Sequence, residues 1–151
     1  MIGDINFFLY PLDDDGYEAP DGAETPRYCV GEIDVMIADN LHRGKGLGKA
    51  AVLAFLHYIY RKLPSILQQY EARNDENKPP TASTPLSLKH FMVKIKETNT
   101  ASLALFKGLG FQQQGSVNYF GEIKLVLVEY EPLVCVPPEC YSELLYLRTS
   151  K

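Results

Sequence analysis

One stretch of the sequence decides the fold: Gly31-Glu32-Ile33-Asp34-Val35-Met36-Ile37-Ala38, then a short loop, then Arg43-Gly44-Lys45-Gly46-Leu47-Gly48. Its first part alternates in character and predicts a strand with Glu32, Asp34 and Met36 on one face. Its second part places three glycines at alternate positions, at the start of an apolar pattern of helical period over about 47–63. The stretch therefore predicts a strand, a tight turn and a helix that begins at the turn.

The turn has the chemistry of an anion site. The first N–H groups of a helix have no intrahelical acceptor, and the helix dipole adds partial positive charge there. Glycines let a diphosphate approach these groups, and Arg43, Lys45 and Lys49 add charge. The P-loop pattern fails because it needs glycine at Arg43 and a hydroxyl at Ala50. The dinucleotide fingerprint fails at Lys49. A purely connecting turn and another nucleotide-binding domain remain as alternatives.

The rest of the chain adds short elements on both sides of this stretch. Pro64 predicts the end of the first helix, because proline is poorly tolerated in a helix interior. The other predicted elements are strands over 5–9 and 91–95, a loop over 11–28, a polar insertion over about 68–88, a helix from Asn99 or Thr100 to Leu109 stopped by Gly110, and strands over 111–118 and 123–130. This order predicts a mixed sheet with crossover helices, in the α/β or α+β class.

Composition narrows the class of protein. The 151 residues suit one domain, and a net charge of −4 gives no basic face for nucleic acid. No apolar run reaches the ~18 residues of a membrane span, and the N-terminus lacks the features of a signal peptide. Cys29, Cys135 and Cys140 form no metal-binding pattern and predict reduced thiols. We therefore expect a soluble protein of the cytosol or nucleus, without a metal.

Two motifs resemble the GNAT superfamily of N-acetyltransferases. The turn at 43–48 is similar to the R/Q-x-x-G-x-G/A signature that binds the diphosphate of coenzyme A. Residues 99–111 resemble the segment N-x-A-S-x-x-L-[YF]-x-x-x-G-F of the same superfamily. Residues 2–6, 31–38 and 120–123 look like the N-acetyltransferase-nine branch, which is eukaryotic and thought to act on proteins. The resemblance covers about 2–10, 31–62 and 91–130.

The resemblance implies a mixed, mostly antiparallel sheet flanked by helices. A domain of this superfamily normally begins with a strand, one or two helices and a further strand, whereas this chain opens at what resembles the third strand. We therefore expect an N-terminally incomplete GNAT domain over 1–132, with the insertion at about 68–88, and a C-terminal tail over 133–151. The missing elements would leave a sheet edge that a partner or a second copy could cover.

The resemblance also assigns roles. Acetyl-CoA is the implied acetyl donor, and the strand before the turn splays from its neighbour so that its backbone binds the pantetheine arm. The residues implied in cofactor binding are Met36, Ile37, Arg43, Gly44, Lys45, Gly46, Leu47, Gly48, Asn99 and Ser102. Backbone groups at Met36 and Ile37 would polarise the thioester carbonyl. Asn99 and Ser102 also fit a plain helix cap, and the two roles are compatible.

The implied reaction is direct attack of a protein or peptide amine on acetyl-CoA. A lysine amine has a pKa of ~10.4 and needs a proton acceptor, whereas an α-amine at ~7.7 to 8.0 needs less help. Glu32 and Asp34 are the candidate bases, with Glu32 preferred; the alternative is a solvated strand face. Phe106 stands where many members carry a tyrosine that protonates the leaving thiolate. A catalytically impaired CoA-binding or interaction module is therefore the rival prediction.

Overall fold

A computed structural model of the protein describes residues 3–12, 27–38, 40–74, 84–139 and 141–144. The elements are β1 Gly3–Pro11, β2 Arg27–Ile37, a 3-10 turn Asn40–His42, α1 Leu47–Asn74, β3 Leu86–Lys96, α2 Thr100–Gly108, β4 Gln112–Gln113, β5 Glu122–Leu127 and α3 Glu131–Val134. Within these residues, no helix is both long and apolar enough to cross a membrane.

The five strands form one sheet in the order β1-β2-β3-β5-β4. The β2–β3 pair is parallel, and the other three pairs are antiparallel. Parallel neighbours need a long crossover connection, and α1 supplies it between β2 and β3. The predicted mixed, mostly antiparallel sheet is confirmed.

Helices α1 and α2 contribute to the core cluster that also contains residues of β2, β3 and β5. On α1, Val52, Leu56 and Ile59 recur at helical spacing and are buried. On α2, Leu103 and Phe106 are buried in the same cluster. The sheet residues of this cluster are Cys29, Ile33, Leu88, Phe91, Val93, Ile95, Leu125 and Leu127. This packing fixes the start of each helix relative to the carboxyl ends of β2 and β3.

Helix α1 does not end at Pro64, and that prediction is wrong. The helix continues through the proline to Asn74. Proline in a helix interior costs about 3 kcal/mol through a lost hydrogen bond and a clash. Tertiary contacts offset this cost, because Leu67 is buried beyond the proline. An ion pair of 2.7 Å between Arg27 and Glu71 also ties the last turns of the helix to β2.

Other predicted boundaries also move. Strand β3 begins at Leu86 rather than at 91, because the side chain of Leu88 is buried and this residue pairs with Cys29. The last two strands are shorter than predicted, since the Asn118 side chain organises the connection by accepting bonds from the N–H groups of Phe120 and Glu122 at 2.9 Å. Most of the predicted loop over 11–28 and the middle of the insertion, 75–83, lie outside the described residues.

The segment after β5 packs on α1. Val134 is buried, and its carbonyl lies 2.7 Å from Nδ1 of His57. A carbonyl only accepts, so Nδ1 donates and carries the ring hydrogen. The ring of Tyr141 packs edge-on against His57, with 4.8 Å between centroids, and Arg61 pairs with Glu143 at 2.6 Å. His57 is therefore a structural histidine that anchors this segment.

Candidate functional site

Strands β2 and β3 diverge halfway along their length. Their parallel pairing runs from Arg27 and Leu86 to Glu32 and Met92. Beyond that point, residues 33–37 of β2 pair with β1, and residues 93–96 of β3 pair with β5. Among the described strands, the facing backbone edges of these two stretches therefore have no partner across the gap, and a V-shaped cleft opens between them.

A cavity of about 450 Å³ lies at the open end of this cleft. It is lined by Val35, Met36, Ile37, His42, Arg43, Gly44, Gly46, Gly48, Lys49, Asn99, Ala101, Ser102 and Leu105. Among the residues that the structure describes, the lining contains Arg43, Lys49 and His42 and no carboxylate, although the chain as a whole carries a net charge of −4. The cavity is thus a local positive site suited to an anionic ligand.

The glycine turn depends on backbone conformations that other residues rarely adopt. Gly44 and Gly46 have φ values of +72° and +80°, and a Cβ built on either meets no atom within 4 Å. The need for glycine is therefore conformational, and open space faces both positions. The first helical hydrogen bond runs from Ala50 N to Gly46 O at 3.0 Å. The N–H groups at Leu47 and Gly48 therefore precede the helical ladder, at the positive end of α1.

Arg43 connects the turn to the end of β2. Its Nε donates to the carbonyl of Ile37 at 2.8 Å. This bond leaves the two terminal nitrogens of the guanidinium for other contacts. Two predicted residues fall outside the cavity lining: Lys45, which is exposed in the turn, and Leu47, which lines a neighbouring cavity of about 370 Å³ between β1 and α1.

The start of α2 forms the opposite wall of the cavity. Oδ1 of Asn99 accepts a hydrogen bond from the N–H of Ser102 at 3.2 Å, which confirms the predicted cap. The two helix starts approach closely, since a Cβ on Gly48 would lie 3.9 Å from a methyl group of Leu105. The predicted helix stop at Gly110 is also confirmed by its φ of +94°. Helix α2 therefore packs close to the first turn of α1 at Gly48.

The two candidate bases occupy different environments. Oε2 of Glu32 lies 2.9 Å from Nζ of Lys94, at the point where the β2–β3 pairing ends. Its side chain is 17% exposed. Asp34 is exposed, two residues further along the open stretch of β2. The structure thus brings Glu32 to the apex of the cleft and leaves Asp34 in solvent on the same strand face.

Sequence reasoning missed an exposed aromatic pair beside this site. Tyr119 and Phe120 are 97% and 68% exposed and stack edge to face, with 5.5 Å between centroids. Their loop is joined to the β3–α2 turn through the bond from Glu97 N to Gly121 O at 2.9 Å. The sequence signal for this pair is two adjacent aromatic residues followed by a glycine, Tyr119-Phe120-Gly121, between two predicted strands. Phe106, by contrast, is buried against Phe111 and does not line the cavity.

A family comparison identifies this arrangement. The model of the acetyltransferase (GNAT) domain matches residues 1–112, which include the diverging strand, the glycine turn and α2. The chain belongs to the GNAT acetyltransferase family. This match confirms the resemblance drawn from the two motifs.

Two relatives of this GNAT chain share the name N-acetyltransferase 9. It is 34% identical to alpha/beta-tubulin-N-acetyltransferase 9 of Homo sapiens over 131 residues, which are 87% of this chain and 46% of that protein. It is 32% identical to an N-acetyltransferase 9-like protein of Dictyostelium discoideum over 131 residues, or 87% of this chain and 44% of that protein. The chain therefore spans about half the length of these curated relatives.

A solved structure supports the GNAT fold. Arabidopsis thaliana NAA60 in complex with acetyl-CoA matches with a TM-score of 0.50 and 11% sequence identity. The match covers 85% of this chain and 66% of that chain. At this identity the likeness establishes the architecture alone.

Proposed function

We propose that the protein is an N-acetyltransferase that moves the acetyl group of acetyl-CoA to an amine of a protein or peptide. One observation carries the proposal: the cleft between β2 and β3 opens directly onto the glycine turn and the positive start of α1. An extended ligand with a diphosphate at one end and a thioester at the other matches this shape and charge. Family membership and the names of the relatives support acetyl transfer.

The diphosphate is assigned to the turn. The N–H groups around Leu47 and Gly48 are hydrogen-bond donors at the start of α1. The positive φ at Gly46 sets the direction of the turn backbone just before them. Lys49 and the terminal nitrogens of Arg43 add charge from the cavity wall. The pantetheine arm would then run along the open edge of β2, where Met36 lines the cavity. This placement uses backbone groups that lack a strand partner.

The chemistry is direct transfer. The acceptor nitrogen attacks the thioester carbonyl carbon, a C–N bond forms, and the C–S bond breaks with release of CoA as the thiolate. A backbone N–H of β2 aimed at the carbonyl oxygen would stabilise the negative charge that develops there. The proton that the amine loses goes to Glu32, directly or through water. Phe106 has no proton to donate and is buried, so the proton that the thiolate takes up comes from water.

The acceptor is proposed to approach from the side of the aromatic pair. Tyr119 and Phe120 lie in the loop that is bonded to the β3–α2 turn, and aromatic rings of this exposure suit an apolar side chain of a peptide. The name of the human relative gives α- and β-tubulin as its acceptors. Peptides of α- and β-tubulin that offer an α-amine or a lysine are therefore the first acceptors to test.

The test combines binding and turnover. We expect calorimetry to detect binding of acetyl-CoA, and mass spectrometry to detect acetylated product from a tubulin peptide with a free α-amine or lysine. The Glu32→Gln variant should slow transfer about a hundredfold for a lysine acceptor, and less for an α-amine whose pKa is lower. Asp34→Asn is the matched control, and it should transfer at the wild-type rate because Asp34 is exposed.

Two outcomes would contradict this proposal. Tight acetyl-CoA binding without acetylation of any α-amine or lysine peptide would favour the non-catalytic CoA-binding module. Equal rates for the wild type and Glu32→Gln on both acceptors would remove Glu32 from the mechanism. A larger loss in Asp34→Asn would move the proton acceptor to that residue.

A further inference from the structure

The side chains of Lys94 and Glu32 join β3 to β2 at the apex of the cleft, next to the last backbone pair of the two strands. Lys94 lies two residues beyond Met92, the last residue of β3 that pairs with β2. Alternation along the strand puts Lys94 on the same face as Met92 and its partner Glu32. Its ammonium reaches back across the gap to Oε2 of Glu32 at 2.9 Å. A side-chain bridge therefore follows directly where the backbone ladder stops.

The surroundings explain why Lys94 turns toward Glu32. On the other side of β3 it pairs with Lys124 of β5, and like charges directly opposite each other repel. On the near side, the ring of Tyr10 lies 5.8 Å from its Nζ. The hydrogen bond to Glu32 is the main factor that raises the pKa of Lys94, and Glu122 and Tyr10 act in the same direction. Lys94 is thus a fixed cation between one repelling and one accepting neighbour.

We infer that Lys94 is a positioning residue that holds the carboxylate of Glu32 at the apex of the cleft. This inference rests on the proposed function, in which Glu32 takes the proton of the acceptor amine. One oxygen of the carboxylate is fixed by Lys94, and the other is thereby directed at the acceptor. Without Lys94 the carboxylate swings among its rotamers, and the fraction of enzyme with a correctly placed base falls.

The ion pair contributes little to stability, which makes the inference testable. The Lys94 side chain is 41% exposed, and an ion pair in water at this exposure is worth little. Lys94→Met should therefore fold as well as the wild type. A second ion pair provides the matched control. Arg27, the first residue of β2, contacts Glu71 of α1 at 2.7 Å, at the end of the strand away from the cleft. Arg27→Met removes a comparable pair away from the cleft.

The kinetic experiment is the single-turnover rate of acetyl transfer with saturating acetyl-CoA and peptide. Lys94→Met should slow it about tenfold without changing acetyl-CoA affinity, whereas Lys94→Arg should recover most of the rate. In the Glu32→Gln background, Lys94→Met should have no further effect. Arg27→Met should keep the wild-type rate. A wild-type rate in Lys94→Met, or losses that multiply in the double variant, would overturn the inference.

A second measurement does not depend on turnover. Relaxation of a ¹³C label in the Glu32 side chain, measured on the protein without ligand, should report an ordered group in the wild type and in Lys94→Arg. It should report a mobile group in Lys94→Met. If the wild type transfers no acetyl group, the proposed function fails, and this measurement still decides the positioning role. Equal order of Glu32 in the wild type and Lys94→Met would refute that role.

Discussion

The two halves of β2 belong to one continuous strand but differ in their partners. From Cys29 to Glu32 the strand has partners on both sides, and its residues Cys29, Val30 and Gly31 are buried. From 33 to 37 it keeps only β1, and Met36 is 51% exposed beside the cavity. In the first half, the backbone N–H and C=O groups bond within the sheet. In the second half, those that face β3 are left for a ligand. One strand therefore supplies both the rigidity and the site.

We call residues 27–32 the closed half of β2 and residues 33–37 the open half. We expect substitutions in the closed half to change the free energy of unfolding, and substitutions near the open half to change ligand affinity. An unpaired backbone in a gap is tolerated because the paired half, α1 and β1 hold the strand in position. The ion pair of Lys94 with Glu32 lies at the boundary between the paired and the unpaired half of β2. Substitutions on either side of that boundary should therefore separate stability from binding.

The largest effect is expected at Gly31, in the closed half. A Cβ there would lie 2.4 Å from the ring of Phe7, which itself packs on Phe91. Gly31→Ala should lower the free energy of unfolding by about 2 kcal/mol through overpacking, measured by urea denaturation. In Gly31→Ala/Phe7→Leu the two losses should be less than additive, because the smaller side chain makes room.

Gly108 is the control for this substitution. It lies in α2, and a Cβ on it meets no atom within 4 Å. Gly108→Ala should leave stability unchanged or raise it by up to about 1 kcal/mol, since alanine favours the helix. Stability equal to the wild type in Gly31→Ala would mean that Phe7 moves freely, and the closed half would then be less rigid than its packing indicates.

An intermediate effect is expected at Gly46, beside the open half. An L-residue in the left-handed region costs about 1–2 kcal/mol, and the turn can avoid this strain only by moving its amides. Gly46→Ala should therefore weaken acetyl-CoA binding about tenfold in calorimetry. Gly115→Ala is the control, because Gly115 has a similar φ of +77°, equally open surroundings and no place in the cavity lining.

The pair of variants separates strain from binding. Both substitutions should cost similar stability, and only Gly46→Ala should lose affinity. Unchanged affinity in Gly46→Ala would move the diphosphate away from the turn. Equal losses of affinity in both variants would show that strain acts through the whole domain rather than at the site.

The features that sequence predicted well are those set by neighbouring residues. The three-glycine turn, the Asn99 cap and the Gly110 stop each follow from local backbone chemistry, and all three are present. The continuation of α1 through Pro64 was not predictable, because it depends on tertiary contacts beyond the proline, chiefly the burial of Leu67, with a smaller contribution from Glu71 and Arg27, 44 residues apart. The contact from Lys94 to Glu32 spans 62 residues and was missed for the same reason. Local rules therefore located the glycine turn and left the Lys94–Glu32 contact at the apex of the cleft unspecified.

The smallest effect is a pH dependence in the closed half. His90 pairs with Val30 of β2 and is 8% exposed, and its buried Nε2 has no hydrogen-bond partner among the described residues. Burial, followed by the charges of Lys124 and Lys89, lowers the pKa of His90 below its ordinary value of 6.5. Below pH 6.5 the unfolded chain therefore binds a proton that the folded chain does not, and stability falls as the pH drops toward the folded pKa.

The measurement is the free energy of unfolding of the wild type and His90→Leu as a function of pH. Above pH 6.5 His90 stays neutral in both states, so its titration contributes no slope there. Below it, the wild type should lose more stability than His90→Leu, since leucine cannot take up a proton and also removes the unpaired nitrogen. Acetyl-CoA affinity at neutral pH should be equal in both proteins, because His90 lies on the closed side of the boundary. Parallel curves would show that the imidazole is hydrated in the folded state, and the closed half would then admit water that its packing should exclude.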